Sequence, residues 1–255
     1  MIDEVMGSGR SAAKHTILYL AANPSGTTPL ALGEEARAIQ HELERSGYRD
    51  SFELETRWAV QPLDLLRELR KLKPTVVHFS GHGGARSADG TAGQRSSRHV
   101  APAPGSGQRS SRHVAPAPGS GQPTAHGSQY GLCFEAPDGS VQVVTTQALQ
   151  DTFGAAGSSV KLVVLSACYA DAQAEALRAH IDCVVGMKGT VDDKAARNFA
   201  IGFYGGLGER ESIAAAFRQG CAAISLEGLR DADRPQLKTR AGVDAERIVL
   251  AASAR

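Results

Sequence analysis

Two periods of hydrophobic residues alternate along this chain. Continuous β-branched runs that stop at small residues mark strands buried on both faces of a parallel sheet; apolar residues three and four apart mark helices lying on it. Thr16–Leu20 (TILYL) is the first such run, and it ends at Ala21-Ala22-Asn23-Pro24, where Pro24 takes the backbone out of the sheet. Leu32, Ala36, Ile39 and Leu43 then recur at helical spacing with Glu34, Glu35 and Arg37 between them. That predicts an amphipathic helix covering the first strand. Phe52–Val60 alternates as a second strand, Pro62 opens a helix over Leu63–Leu72, and Val76–Phe79 is a third strand. The order β-α-β-α-β requires a parallel sheet with right-handed crossovers.

The pattern then lapses. From Ala85 to Ser128 large apolar residues almost vanish, and Gly93–Ser106 (GQRSSRHVAPAPGS) is repeated letter for letter at Gly107–Ser120. A unit so short and polar has no face to bury, so 85–128 is expected to be a disordered or loosely tethered insertion. Order resumes with a β-hairpin, Tyr130–Glu135 and Val141–Val144, around Pro137-Asp138-Gly139. Thr145 or Thr146 caps a helix to about Phe153, Leu162–Leu165 is another buried strand, and a helix over Ala172–His180 leads to a short strand, Cys183–Val185. Asp192 or Asp193 caps one further helix and Ser212 another; a polar stretch, Glu227–Arg247, precedes a last strand-like run at Ile248–Ala252. The whole predicts a flexible leader (1–14) and one α/β domain (15–255). Its core is a mainly parallel sheet of about six strands with helices on both faces.

Composition narrows the function. Of 255 residues, 42% are hydrophobic and 22% charged, and the net charge is +1. That balance, without a long basic run, argues against a nucleic-acid partner. No apolar stretch reaches the length of a membrane span, and MIDEVMGSGRSAAKH lacks a signal-peptide core. Cys133, Cys168, Cys183 and Cys221 form neither a C-x-x-C pair nor a metal-ligand spacing, so free thiols in a reducing cytoplasm are the simplest reading. No phosphate-binding glycine motif occurs, and nothing in the sequence calls for a cofactor. His78 and His82, four apart on a strand and turn, do not share a face as metal ligands would on a helix.

Two strand ends carry the candidate chemistry. TVVHFSGHGG presents His82 just past the third strand, and VKLVVLSACYA presents Cys168 just past the strand at Leu162–Leu165. Ligands of open α/β sheets bind outside the carboxyl ends of the strands, so thiol and imidazole converge there as a nucleophile and its base. An oxyanion formed there would be met by backbone N–H groups, those of Gly83 and Cys168 being the expected donors.

A strand ending in His-Gly, a hairpin and helix, then a strand ending in Ala-Cys, resembles the caspase-like cysteine peptidases, and most closely their bacterial CHAT branch. The similar stretches are TILYLAANP, VVHFSGHGG, VVLSACYA and VVGMKGTVDDKAARNFAIGFYGGL, spread over 16–225. The resemblance implies a caspase-like three-layer sandwich and a cysteine endopeptidase acting on protein substrates, with Cys168 as nucleophile and His82 as general base and acid. His82 and Cys168 lie 86 positions apart; without the insertion the gap approaches the ~50 residues usual in caspases. Where caspases carry Gln-Ala-Cys-Arg-Gly this chain has Ser166-Ala167-Cys168-Tyr169-Ala170, which removes the case for cleavage after Asp. This chain carries no TPR repeats, so recruitment would depend on a separate partner or be replaced by another form of control.

Asp171, Asp192 and Asp193 follow the strands nearest Cys168 and predict an acidic pocket selecting Arg or Lys, with Asp193 the foremost candidate and Asn23 and Ser166 as further substrate-binding residues. Arg followed by Ser and a small residue recurs at Arg95, Arg109 and Arg10. These are candidate cleavage sites by which a latent chain is activated, by itself or by an upstream protease or sensor protein, in bacterial defence or another regulated proteolytic pathway. A non-catalytic caspase-like scaffold that only binds partners is the rival reading.

Overall fold

A computed structural model of the chain describes residues 14–86, 92–93 and 129–251. Chain order runs β1 (His15–Ala21), α1 (Leu32–Arg45), β2 (Phe52–Arg57), α2 (Pro62–Leu72), β3 (Val76–Ser80), β4 (Gly83–Arg86) and β5 (Ala92–Gly93). It continues with β6 (Gln129–Glu135), β7 (Val141–Thr145), α3 (Thr146–Ala156), β8 (Leu162–Ser166), α4 (Asp171–Leu177), β9 (Cys183–Met187), α5 (Asp193–Gly208), α6 (Ile213–Leu226) and β10 (Pro235–Thr239).

The continuous apolar runs pair in parallel, as strands covered on both faces must. The central sheet has the order β10-β9-β8-β3-β1-β2, with β10 alone antiparallel to its neighbour. Because side chains alternate across a strand, each strand feeds two cores. Ile17, Tyr19, Val76, Leu162, Val164 and Val185 pack against α1, α5 and α6, while Leu18, Leu20, Val77, Phe79, Val163 and Leu165 pack against α2, α3 and α4. This is the expected layered α/β architecture. Chain direction reverses about β1: α1 leads outward to β2, and α2 returns past β1 to β3. The crevice at such a switch point is where α/β sheets bind ligands.

Caps end the helices where the sequence placed them. Thr145, Asp192 and Ser212 accept hydrogen bonds from the backbone N–H groups of Ala148, Lys194 and Ala215. Pro62 begins α2, and Lys73, left-handed at φ 46°, closes it before Pro74.

A second, antiparallel sheet, β5-β4-β6-β7, grows from the end of β3. Only Gly81 and His82 separate β3 from β4, so His82 sits at the junction of the two sheets. The Phe79 and Phe134 rings, 4.9 Å apart, fasten the hairpin β6–β7 onto the core.

Several expectations need correction. Irregular chain does not begin at Ala85: Ala85 and Arg86 pair with Tyr130 and Gln129 in β4. Most of the expected insertion (87–91 and 94–128), with its duplicated units beyond Gly93, and residues 1–13 of the leader lie outside the described residues, and so do Arg10, Arg95 and Arg109. The last strand of the main sheet is Pro235–Thr239, inside the stretch read as polar connection, while Ile248–Ala252 makes only a bridge from Val249 to Ser212. With β10 already on the β9 edge, Leu250 and Ala251 bury themselves in the core around α5 and α6 instead. Glu35, counted among the polar residues between the apolar positions of α1, points inward and is buried. Among the described residues no helix is long and apolar enough to cross a membrane.

The approach of the two functional strand ends depends on Gly83. A Cβ there would lie 1.9 Å from the Cys168 carbonyl oxygen, an immovable backbone atom. Gly83→Ala is expected to cost about 1–3 kcal/mol, as overpacking does. Gly205→Ala serves as the contrasting case, because its Cβ would meet only the Glu42 side chain at 3.4 Å; it should stabilise α5 by about 0.5–1 kcal/mol. Urea midpoints of the two variants moving in opposite directions check this.

Candidate active site

One pocket at the carboxyl ends of β3 and β8 is lined by both His82 and Cys168, together with Ala31, Glu35, Ser80, Ser166, Val191 and Asp193. The sheet register explains this: Ser80 pairs with Ser166, so the residues two positions beyond each, His82 and Cys168, leave adjacent strands side by side. The Gly81 N–H donates to the Ser166 carbonyl at 3.1 Å, which carries the pairing one step past the strands.

His82 is held in one tautomer. Its Nε2 lies 2.9 Å from the Thr28 carbonyl oxygen. A carbonyl only accepts, so Nε2 carries the proton and Nδ1 is the basic nitrogen. Burial pulls the imidazole below its ordinary pKa, against opposing contributions from the Thr28 bond and the charge of Asp193. Cys168 is half-buried, and its thiol donates to the Val191 carbonyl at 3.9 Å; burial, aided by the charges of Asp193 and Asp231, pushes the thiol up against the lowering effect of that bond. Near neutral pH the pair is therefore thiol and imidazole rather than thiolate and imidazolium. This differs from a thiol that is already partly ionised: a Cys168 acting as nucleophile would lose its proton as attack begins.

The two N–H groups expected as oxyanion donors are oriented by the backbone around them. Cys133 N–H donates to the His82 carbonyl at 2.9 Å, which makes Gly83–Leu132 a non-hydrogen-bonded pair of the β4–β6 ladder. The Gly83 amide is thus turned away from β6. Among the described residues, the Cys168 N–H donates to no carbonyl, whereas the next amide, Tyr169 N–H, is bound to Gly189 O at 2.7 Å. Tyr169 adopts φ 59°, a left-handed conformation costly for a non-glycine residue. A second groove, lined by Gly83, Gly84, Tyr130, Gly131, Tyr169 and Gln173, also reaches Cys168. Cys168 therefore stands between an acid-lined pocket and a glycine- and tyrosine-lined one.

Of the predicted pocket acids, only Asp193 lines the site; its Oδ2 accepts the Ala31 N–H at 3.2 Å. Asp192 caps α5 and receives Lys194 N–H at 2.8 Å, and Asp171 pairs with Lys238 at 3.1 Å. Neither lines the pocket, because each carboxylate is committed to the start of a helix or to a cation on β10. Asn23 does not line it either. Its side chain bonds both the N–H and the C=O of Leu30, closing the 23–30 loop that carries the Thr28 carbonyl. Asn23 thus positions what holds His82. Ser166 does line the pocket, but its hydroxyl donates to Glu35 at 3.1 Å. Among the cysteines, Cys133 and Cys183 are buried, whereas Cys221 is half-buried like Cys168.

The residue missed by sequence reasoning is Glu35. Its carboxylate is 4% exposed and accepts hydrogen bonds from the hydroxyls of Ser80 and Ser166, and it shares the Tyr19 hydroxyl with the Leu32 carbonyl, each 3.0 Å from the phenol oxygen. His78 Nε2 lies 3.4 Å away, near enough for charge attraction but without hydrogen-bond alignment, and His78 Nδ1 meets the Tyr204 hydroxyl at 2.9 Å. Burial alone would raise the carboxyl, but His78 and the bonds from Ser80 and Tyr19 outweigh it and hold it below its ordinary value. One signal was available: Glu35 lies three residues after Leu32 and four before Ile39, inside the apolar stripe of α1.

A mainly parallel six-stranded sheet between two helical layers, with thiol and imidazole at neighbouring strand ends, is a caspase-like arrangement. The chain belongs to the CHAT domain family, whose family model matches residues 10–236. It is also similar to a Roc-COR-CHAT protease from an unknown prokaryotic organism, 23% identical over 215 residues. That match covers 82% of this chain and 16% of the relative, so the chain spans under a fifth of that protein's length.

Asp193 raises the pKa of His82 through its charge, so removing that charge must lower it further. In Cys168→Ala protein, where thiol coupling is absent, NMR titration of His82 is expected to give a midpoint below the ordinary imidazole value. Asp193→Asn should move that midpoint to still lower pH; an upward move would contradict this electrostatic account.

Proposed function

We propose that this chain is a cysteine endopeptidase in which Cys168 is the nucleophile and His82 the general base and acid. The observation that carries this reading is the single pocket lined by a half-buried thiol and an imidazole whose tautomer is fixed by Thr28. Cys168 Sγ attacks the scissile carbonyl as its proton passes to His82 Nδ1. The developing oxyanion is received by the N–H groups of Gly83 and Cys168. The imidazolium then protonates the departing amine, leaving a thioester, and water deprotonated by the same nitrogen releases the acid. Asp193, in the same pocket, steadies the transient imidazolium. No third carboxylate bonded to His82 is required, because the Thr28 carbonyl orients the ring.

Substrates are proteins with Arg ahead of Lys on the acyl side of the cut bond, held in the acid-lined pocket that contains Asp193. The residue on the leaving side lies in the groove between Tyr130 and Tyr169. The chain is made latent, and cleavage after Arg95 and Arg109, and after Arg10, by itself or by an upstream protease, activates it. Arg-Ser motifs of that kind match the specificity of the acidic pocket, and those at Arg95 and Arg109 lie in the polar, duplicated sequence between the His82 and Cys168 halves. Such control fits a cytoplasmic proteolytic pathway in bacterial defence, joined to its trigger by a sensor protein.

Cys168→Ala and His82→Ala are each expected to lower peptide hydrolysis on the order of a thousandfold or more, with the fold retained by circular dichroism. New termini generated from a protein substrate should follow Arg. Replacing Arg95, Arg98, Arg109 and Arg112 together by Ala should give an uncut, inactive chain; an uncut chain with full activity would remove the activation step. A Cys168→Ala protein that keeps its full biological effect would favour the scaffold.

A further inference from the structure

We infer that Glu35 is the charge by which the pocket selects a guanidinium, making it a specificity-determining residue of the site. This rests on the peptidase reading and names the residue that sets its substrate class.

The argument begins with hydrogen-bond polarity. Ser80 and Ser166 each have one hydroxyl proton, and both protons are given to Glu35. What those hydroxyls can still offer a ligand is lone pairs. Glu35 offers only lone pairs as well, and so does the Asp193 carboxylate that lines the same pocket. The side-chain polar atoms around the floor are thus acceptors. A ligand that meets them must be donor-rich and accept nothing, which describes a guanidinium with its five N–H groups. An aspartate or glutamate side chain would face repulsion and find no side-chain donor there, and a leucine would leave the acceptors of the floor facing an apolar group.

Geometry points the same way. Tyr19, Ser80 and Ser166 bring Glu35 to the ends of β1, β3 and β8, two residues short of both His82 and Cys168. An arginine side chain whose carbonyl carbon is at Cys168 therefore runs inward past Asp193 at the exposed rim toward Glu35 at the floor. Two carboxylates at different depths suit the long planar fork of arginine better than the compact ammonium of lysine.

The test compares peptide substrates that end in arginine with ones ending in citrulline, its neutral isostere. A charge-assisted contact of the usual strength predicts that the unmutated protein prefers arginine by about tenfold to a hundredfold in kcat/KM. Glu35→Gln, which keeps an acceptor for the surrounding hydroxyls, should bring the ratio to near one while citrulline cleavage persists; Glu35→Asp should keep a preference for arginine. Equal loss on both substrates would mean that Glu35 is only structural, and an unchanged ratio would mean that Asp193 suffices; either overturns the inference. A cleaving protein that prefers leucine overturns it while the peptidase reading stands. No cleavage of any peptide, with a rate equal to that of Cys168→Ala, fails the peptidase reading itself. Should Glu35→Gln not fold, the unmutated protein still decides. Butylguanidinium should slow alkylation of Cys168 where butylurea does not, and equal protection by both contradicts the inference.

Discussion

A single buried carboxylate ties this site together. Glu35 reaches from the inner face of α1 to the hydroxyls of Tyr19 on β1, Ser80 on β3 and Ser166 on β8. An anion removed from water is costly unless donors surround it. Here the donors come from three neighbouring strands, so satisfying the charge also fixes those strand ends relative to one another. Ser80 and Ser166 stand directly opposite each other in the register, and the residues two further on are His82 and Cys168. The polarity of one small carboxylate cradle and the juxtaposition of thiol and imidazole are thus consequences of the same packing.

Around that centre the loops act as second supports. Asn23 closes the loop after β1 by bonding both polar groups of the Leu30 backbone. The same loop is fixed to the β6–β7 turn through Ser25, whose N–H and hydroxyl both donate to the Gly139 carbonyl at 2.8 Å, and to α5 through Ala31 and Asp193. Its Thr28 carbonyl then selects the tautomer of His82. Burial favours the uncharged forms of both His82 and Cys168, which under the proposed mechanism puts proton transfer within the chemical step instead of before it.

Much of this was legible in the sequence, for identifiable reasons. Strands buried on both faces read as unbroken apolar runs, so β1, β3, β8 and β9 were visible, and the small residues ending them exposed His82 and Cys168 as chemical candidates. Capping residues were legible because Thr145, Asp192 and Ser212 precede helical periodicity. β10 was not, because Pro-Gln-Leu-Lys-Thr on an antiparallel edge needs only one covered face and carries little hydrophobic signal. Glu35 was hidden because a buried, hydrogen-bonded acid has the same letter as a solvated one. For Asp171 and Asp192, position after a strand was equally compatible with Lys238 pairing and helix capping, and only the fold separates those roles from that of Asp193.

The central claim is that Cys168, activated by His82, is attacked-carbonyl chemistry waiting for a basic side chain. It is tested most directly with a peptidyl-arginine acyloxymethyl ketone, an irreversible trap that needs both a correctly bound side chain and a competent thiol. Mass spectrometry of the intact and digested protein should find one adduct, on Cys168, formed far more slowly in His82→Ala. Labelling of Cys221 at a comparable rate, or labelling of Cys168 that is indifferent to His82, would contradict the account.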